Sequence, residues 1–382
     1  MKELLRVGVV GTSSYMENRH LPALKSHKQA QLAAICGRGQ ERAHQLAAKY
    51  KIPFVCSDYH EMMRKDLLDA VVIAVPDDLH YPVTMAALDA GLHVLSEKPM
   101  AMNLVQANTM LEKAEATGIK HMVFFTYRWA PWVRLLQKLL AEVFTGQPKL
   151  VQVEYIAGYG LDGSYQWKWD CQHGLGALGD LGSHAIDLAQ LCAGGIARVQ
   201  ASLKTQVARK HPQGLPFVQA NDTANLEMQF ASGASGTISC SAVTNVGRRG
   251  QIQRVQVSGP DGVLEMTADG TNWRVCGRRQ GEKGYQTFPI PAEFMAGAAS
   301  SLLYWAARIV APQYATWAVI ASVFTSQPVG TRLFVESILQ DCPITPGFRE
   351  GVQVQSVIDA CFRSYASGCW EETISGYPLI KP

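Results

Sequence analysis

The sequence predicts a two-part α/β plus α+β protein: a doubly wound parallel sheet, then a domain with an open, predominantly antiparallel sheet and flanking helices. Three observations predict it. The chain has 382 residues, beyond the size at which single hydrophobic cores usually stop growing. Its first third alternates short apolar runs with longer amphipathic stretches, as βα units do. Its middle alternates apolar and polar residues between turn-formers, as antiparallel strands do.

In the first part the expected strands are residues 6–10, 31–36, 70–75, 93–96 and 121–126. Helical stretches over 40–50, 81–90 and 104–117 lie between them, the last two stopped by Gly91 and Gly118; glycine commonly ends a helix. A bridging helix is expected over 131–144. Strands follow at 150–159, 199–207, 225–230, 236–243, 254–258 and 263–267, interrupted by a helix at 181–192. Two closing helices are expected at 331–340 and 351–365. The domains are therefore set at 1–128 and 129–382. Residues 291–329 are apolar, but Arg308, Pro312 and Gln313 interrupt them, and a span needs about 20 unbroken apolar residues. Two buried or interface helices are expected there instead of a membrane contact.

Apolar residues make up 47% and charged residues 18% of the chain, with a net charge of +3. No basic run is long enough to track a phosphate backbone, so a nucleic-acid partner is not expected and a small-molecule substrate is. The nine cysteines form no CxxC pair and no metal-like Cys/His spacing. An odd count suits free thiols in a reducing compartment, and MKELL leaves no room for a signal region. The expected location is the cytoplasm, with no metal and no membrane.

The first strand runs into Gly11, Thr12, Ser13 and Ser14 ahead of a stretch that can be helical through Leu24. A dinucleotide fold places its glycine-rich turn here, because amides at a helix N-terminus bind pyrophosphate. Only Gly11 holds a fingerprint position; Ser13 and Met16 replace the other glycines. The second strand ends in Cys36, Gly37 and Arg38, without the acidic residue that accepts from a ribose hydroxyl. A guanidinium beside that vacancy favours a 2′-phosphate, hence NADP over NAD; the other reading of Arg38 is a solvated helix start. Pro76 and His80 lie in the loop after the strand expected at 70–75, with His80 either over the nicotinamide ribose or capping a helix.

The next strand ends in Glu97, Lys98 and Pro99, the proline fixing the backbone after the lysine. Far downstream comes GALGDLGSHAID, residues 176–187. On a helix beginning near Asp180, positions 180, 184 and 187 share one face. Arg128 follows the strand expected at 121–126, and Trp167, Lys168 and Trp169 cluster before the histidine motif. Aromatic faces flanked by donors suit sugars, and equally suit a core. Glu97 reads as a structural anchor, and Asp187 as either a substrate contact or a buried partner.

The GTS turn, VPDDLHYP, SEKP, TYRW and GDLGSHAID, in this order, resemble the Gfo/Idh/MocA oxidoreductase family over nearly the whole chain. The resemblance implies a Rossmann domain followed by an open sheet that often forms a dimer face, hence a homodimer or homotetramer. It implies NAD or NADP as cofactor and sugars, cyclitols or related compounds as substrates. Carried over by position, it makes Lys98 and His184 the acid/base pair at the reacting oxygen, with Asp180 orienting or sharing the proton. Gly11, Thr12, Ser13, Ser14, Gly37, Arg38, Pro76, His80, Glu97 and Lys98 then face the cofactor. Lys98, Arg128, Trp169, Asp180 and His184 face the substrate. Removing a hydride from a carbinol carbon requires its oxygen to lose a proton, which is the work of such a base. Two other functions fit the fold: a glycosidase that oxidises its sugar transiently, and a non-catalytic dinucleotide-binding sensor. Retention of Lys98, Asp180 and His184 together argues against the sensor.

Overall fold

The computed structural model describes residues 4–295, 297 and 314–373. Two compact units divide the chain: Met1–Phe125 with Ala321–Val352, and Thr126–Ile320 with Gln353–Pro382. A stretch from late in the chain thus returns to the first unit, which the single expected boundary at 128/129 did not contain.

The first unit holds a six-stranded sheet of β1 (Leu5–Val10), β2 (Ala30–Cys36), β3 (Phe54–Cys56), β4 (Ala70–Ile73), β5 (His93–Ser96) and β6 (His121–Val123). Their order is β3-β2-β1-β4-β5-β6, and every pairing is parallel. Strand order reverses between β1 and β4, and such sheets bind ligands in the crevice at the carboxyl ends beside that reversal. Val7, Val9, Val71, Val72, Val94 and Leu95 are all fully buried. A sheet covered on both faces needs such continuous apolar strands, and each fully buried aliphatic side chain contributes roughly 1.5–3 kcal/mol. The helices α1 (Leu21–Ser26), α2 (Gln40–Tyr50), α3 (Asp77–Asp89) and α4 (Leu104–Ala116) connect the strands. β3 was not expected, since three residues, FVC, carry too little periodicity to read. β6 stops at Val123, short of the expected Thr126.

The second unit is built on a nine-stranded sheet. Its strands are β7 (Leu150–Ala157), β8 (Ile196–Lys204), β9 (Thr223–Phe230), β10 (Ser235–Ser241), β11 (Gln251–Gly259), β12 (Gly262–Asp269), β13 (Trp273–Arg279), β14 (Gln286–Phe288) and β15 (Glu371–Glu372). The order is β14-β13-β12-β11-β7-β10-β9-β8-β15. All pairings are antiparallel except β10 with β7. The helices α5 (Pro131–Ala141) and α6 (Ser183–Ala193) pack on one face, where Trp132 stacks on Trp273 at 5.4 Å. On the other face the alternation exposes Ser202, Asn225, Glu227, Ser235 and Thr237. β13, β14 and β15 were not expected. The sequence of β13, WRVCGRR, is rich in charge, and β14 and β15 are too short to show a period.

The expected helix at 181–192 begins earlier and irregularly, with a π-helical turn at Leu178–Gly182 before α6. A second π-turn, Met16–His20, precedes α1. Such turns are rare and often sit at functional sites. Of the apolar stretch 291–329, the described parts are the short helix Ala292–Met295 and the helix Ala315–Ser326, the latter largely buried. Residues 296 and 298–313, which carry much of that expectation, lie outside the described residues. Among the described residues no helix is long and apolar enough to cross a membrane.

Candidate active site

In the first unit the site is made mostly of backbone. Gly11 ends β1 with φ +112°, and a Cβ there would stand 2.1 Å from the Ala74 carbonyl oxygen. No L side chain takes that conformation or fits that gap, so the turn after β1 can lie against the end of β4 only because residue 11 is glycine. Its amide donates to the Cys36 carbonyl at 2.9 Å, which ties the turn to the end of β2. A Cβ on Gly37 would lie 2.4 Å from the Thr12 methyl carbon. The ends of β1 and β2 are thus drawn close, with the exposed residues Ser13, Ser14 and Arg38 at their rim. The Ser13 hydroxyl accepts from the Met16 amide at 3.2 Å and pins the start of the π-turn. This glycine-lined, side-chain-poor turn ahead of a helix suits a dinucleotide pyrophosphate.

The loops after β4 and β5 are bolted together by His80. The imidazole is 1% exposed. Its Nδ1 lies 2.6 Å from the Pro99 carbonyl oxygen and its Nε2 lies 3.0 Å from that of Val75. Burial pushes its pKa down, while the two carbonyls pull it back. With both nitrogens within hydrogen-bond distance of backbone carbonyls, His80 braces the two loops. Pro76 stands at the N-cap of α3. Glu97 is buried, as an anchor should be. One of its oxygens lies 2.9 Å from Nε2 of His20, and the other accepts from the Lys98 amide at 3.3 Å. His20 itself is fully buried, with its Nδ1 at 2.9 Å from the Thr331 hydroxyl. Sequence reading missed His20, because its partners stand 77 and 311 residues away. Lys98 is half-buried at the loop's crest, ahead of a cis bond to Pro99.

In the second unit the site is made of side chains. Asp180 sits in the π-turn, half-buried. The Tyr159 hydroxyl donates to its Oδ2 at 2.6 Å and the Lys168 ammonium donates to the same oxygen at 2.7 Å. His184 follows within the first turn of α6 and is 6% exposed. The Tyr127 ring meets it edge-on at 4.7 Å, and Tyr155 lies at 6.2 Å. Behind them, the hydroxyls of Tyr127 and Tyr155 are 2.6 Å apart; Tyr155 donates to Gln251 Oε1, and Gln251 Nε2 donates to the Tyr127 oxygen. Burial first, then Tyr127, holds the Tyr155 phenol well above its usual pKa, so it remains a proton-bearing donor at neutral pH. Asn221 clamps the approach to the π-turn, accepting from the Leu178 amide and donating to the Leu175 carbonyl. Tyr127, Tyr155, Gln251 and Asn221 were not among the expected site residues. Tyr127 lies within the TYRW motif, which gives it no role of its own; no motif marks the other three, and the tertiary fold brings them together.

Two expected substrate contacts are placed otherwise. Trp169 is fully buried, stacked by Tyr159 at 5.8 Å on one side and covered by the Arg209 guanidinium at 4.2 Å. Its face is therefore spent on the protein, and Trp167 and Lys168 are the half-exposed members of the cluster. Arg128 forms a bidentate pair with Asp187, Nε to Oδ2 at 2.9 Å and a terminal nitrogen to Oδ1 at 2.5 Å. Asp187 is thus drawn to Arg128 as a buried partner, although it shares a helix face with His184. Among the described residues no group of three or more His, Cys, Asp or Glu side chains could hold a metal ion.

Comparison with known proteins agrees with this architecture. Residues 5–125 match the model of an oxidoreductase family with an NAD-binding Rossmann fold, and residues 133–265 match the GFO/IDH/MocA C-terminal domain. The chain is similar to an uncharacterised oxidoreductase of Synechocystis, 28% identical over 96% of this chain and 95% of that protein. It is also similar to a levoglucosan dehydrogenase of Pseudarthrobacter phenanthrenivorans, 24% identical over 91% and 90% of the two chains. A solved NAD-binding oxidoreductase from Klebsiella pneumoniae superposes with a TM-score of 0.82 at 27% identity, covering 97% of this chain and 100% of that one.

Proposed function

Because the chain belongs to the Gfo/Idh/MocA oxidoreductase family, a family of NAD-binding dehydrogenases acting on hydroxyl groups, we propose that it oxidises a sugar, a cyclitol or a related polyol at one carbinol carbon, or runs the reverse reduction. The observation that carries this reading is the second unit's arrangement: a carboxylate fixed by two donors, followed one turn later by a buried imidazole. Groups of that kind move protons, and a binding module has little need of them.

A bound nicotinamide supplies the hydride acceptor or donor. The chain's own residues handle the proton that leaves the hydroxyl as the hydride leaves its carbon. Lys98 and His184 act as the acid/base pair at the reacting oxygen, and Asp180 shares or orients that proton. An imidazole needs little tuning for the task, since its reference pKa is near neutral. Well-placed acid/base groups of this sort contribute roughly 10²- to 10⁴-fold.

The cofactor assigned here is NADP in preference to NAD. Support comes from the end of β2, where Cys36, Gly37, Arg38 and Gly39 include no carboxylate and Arg38 is exposed at the rim of the glycine turn. A sugar-like substrate is supported by the name of the levoglucosan-oxidising relative. The nine cysteines are all thiols, which suits a reducing compartment such as the cytoplasm. The face of the nine-stranded sheet that exposes Ser202, Asn225, Glu227 and Thr237 is assigned to pairing between copies of the chain.

The test is a screen of sugars, cyclitols and their keto forms with NAD and NADP in both directions, following nicotinamide absorbance. Stoichiometric cofactor turnover with a polyol or its ketone supports the reading. Cleavage of a glycoside with no net cofactor consumption would replace it.

A further inference from the structure

Asp180 is held by more than its own helix. The two donors on its Oδ2 come from different places: Tyr159 follows β7, and Lys168 lies in the short turn Trp167–Trp169. Neither donor is loose. The Tyr159 ring stacks on the fully buried Trp169 at an interplanar angle of 23°. The Lys168 ammonium lies 5.0 Å from the centre of the Tyr159 ring and 5.8 Å from that of Trp167, within the range at which cations are attracted to ring faces. On the far side of Trp169, Arg209 is fixed by Asp222 at 3.1 Å and by the Gly160 carbonyl at 3.0 Å. Asp222 is fully buried and also accepts from the amides of Gln206 and Val207. A continuous stack thus runs from Asp222 through Arg209 and Trp169 to Tyr159, ending on the Asp180 carboxylate.

We propose that Tyr159 and Lys168 are positioning residues that keep Asp180 ionised and fixed in orientation, and that the Asp222–Arg209–Trp169 stack exists to hold them there. The inference rests on the reading of Asp180 as part of a proton relay. A carboxylate that accepts two hydrogen bonds, one from a cation, favours its charged form. Such a carboxylate stays ready to accept or stabilise a proton at mildly acidic pH, where an unsupported one would begin to be neutralised. Other titratable groups lie on the elements packed against the π-turn. Asp187 on α6 is paired with Arg128. The Cys240 thiol of β10 is pushed up to about 12 by burial, Tyr155 of β7 keeps its proton, and Glu227 of β9 is exposed. His184 follows Asp180 one turn later, in the first turn of α6.

The test uses the full chain and two variants. Tyr159→Phe keeps the ring on Trp169 and removes one donor; Lys168→Met removes the cation, with Lys168→Arg as the conservative rescue. The first readout is the carbon-13 titration of the Asp180 carboxyl in the cofactor-free protein, which needs no turnover. The second is the acid limb of kcat/KM against pH. The proposal expects both to move upward by about one pH unit in Lys168→Met and by less in Tyr159→Phe, with the shift reversed in Lys168→Arg. Near-neutral activity should fall far less than activity at the acid end. A carboxyl titration unmoved in both folded variants overturns the proposal. If the carboxyl moves and the wild-type protein turns over no polyol, the positioning role stands and the dehydrogenase reading falls.

Discussion

The cofactor end of the first unit and the Asp180 cluster of the second are built in opposite ways. Around Gly11 the geometry is set by what is missing. A side chain would collide with the Ala74 carbonyl, and the strand ends approach because Gly37 leaves room for Thr12. Around Asp180 it is set by what is present: a tyrosine, a lysine and a tryptophan stack drawn from segments more than ten residues away. Both regions enter a helix through a π-turn, yet one is shaped by backbone and the other arranges charged side chains. A backbone cradle follows from a few local residues, so it can be read from sequence. A side-chain cluster depends on which strands become neighbours.

That difference sets what each region should do when altered. The largest effect is expected at Lys98, the lysine proposed to share in proton handling. Lys98→Ala should lower turnover by roughly 10²- to 10⁴-fold with cofactor binding near normal, read by steady-state kinetics beside a fluorescence titration of the reduced nicotinamide. Unchanged turnover would confine the first unit to binding alone. Next comes Gly11→Ala, which forces a side chain into a left-handed conformation against a carbonyl. It should cost at least about 1–3 kcal/mol in chemical denaturation and weaken the cofactor, leaving the shape of the pH profile alone. A smaller change is expected from Arg38→Ala, which should weaken NADP far more than NAD if the guanidinium reads a 2′-phosphate; equal losses would remove that role.

The smallest effect concerns the frame of the first unit. His121 accepts from the Phe348 amide at 2.9 Å, and burial, aided by Arg349, pushes its pKa down to about 4. The folded value lies below the unfolded one, so the unfolded chain takes up a proton that the folded chain refuses. The contribution of His121 is complete above the usual histidine pKa and drains away as pH falls from about 6.5 towards 4. Denaturation midpoints at neutral pH and at about pH 5 should therefore converge in His121→Gln relative to the wild type. A variant as acid-sensitive as the wild type would assign that loss to other groups.

The same contrast explains how much was legible in the sequence. The parallel sheet was readable from its apolar runs, because strands covered on both faces must be apolar throughout, and the order of motifs carried the family. Asp180 and His184 could be named from one short motif. Their setting could not. Tyr159 meets Asp180 across 21 residues, Tyr155 and Gln251 join across 96, and Asn221 clamps the π-turn from 43 residues downstream. In the sequence Trp169 stays open between a sugar contact and a core anchor, because composition cannot tell a ring that faces solvent from one packed against Tyr159 and Arg209. His80 and His20 show the same limit in the first unit, where a histidine near a functional loop turns out to brace or bridge it.

The most direct measurement pairs cofactor affinity with turnover in Asp180→Asn, which keeps the shape of the side chain and removes its charge. If the turn after β1 binds the cofactor and Asp180 joins Lys98 and His184 in moving the proton, NAD(P) affinity stays at the wild-type value while turnover collapses. Turnover that survives the substitution, or cofactor affinity that is lost with it, would contradict that division of labour.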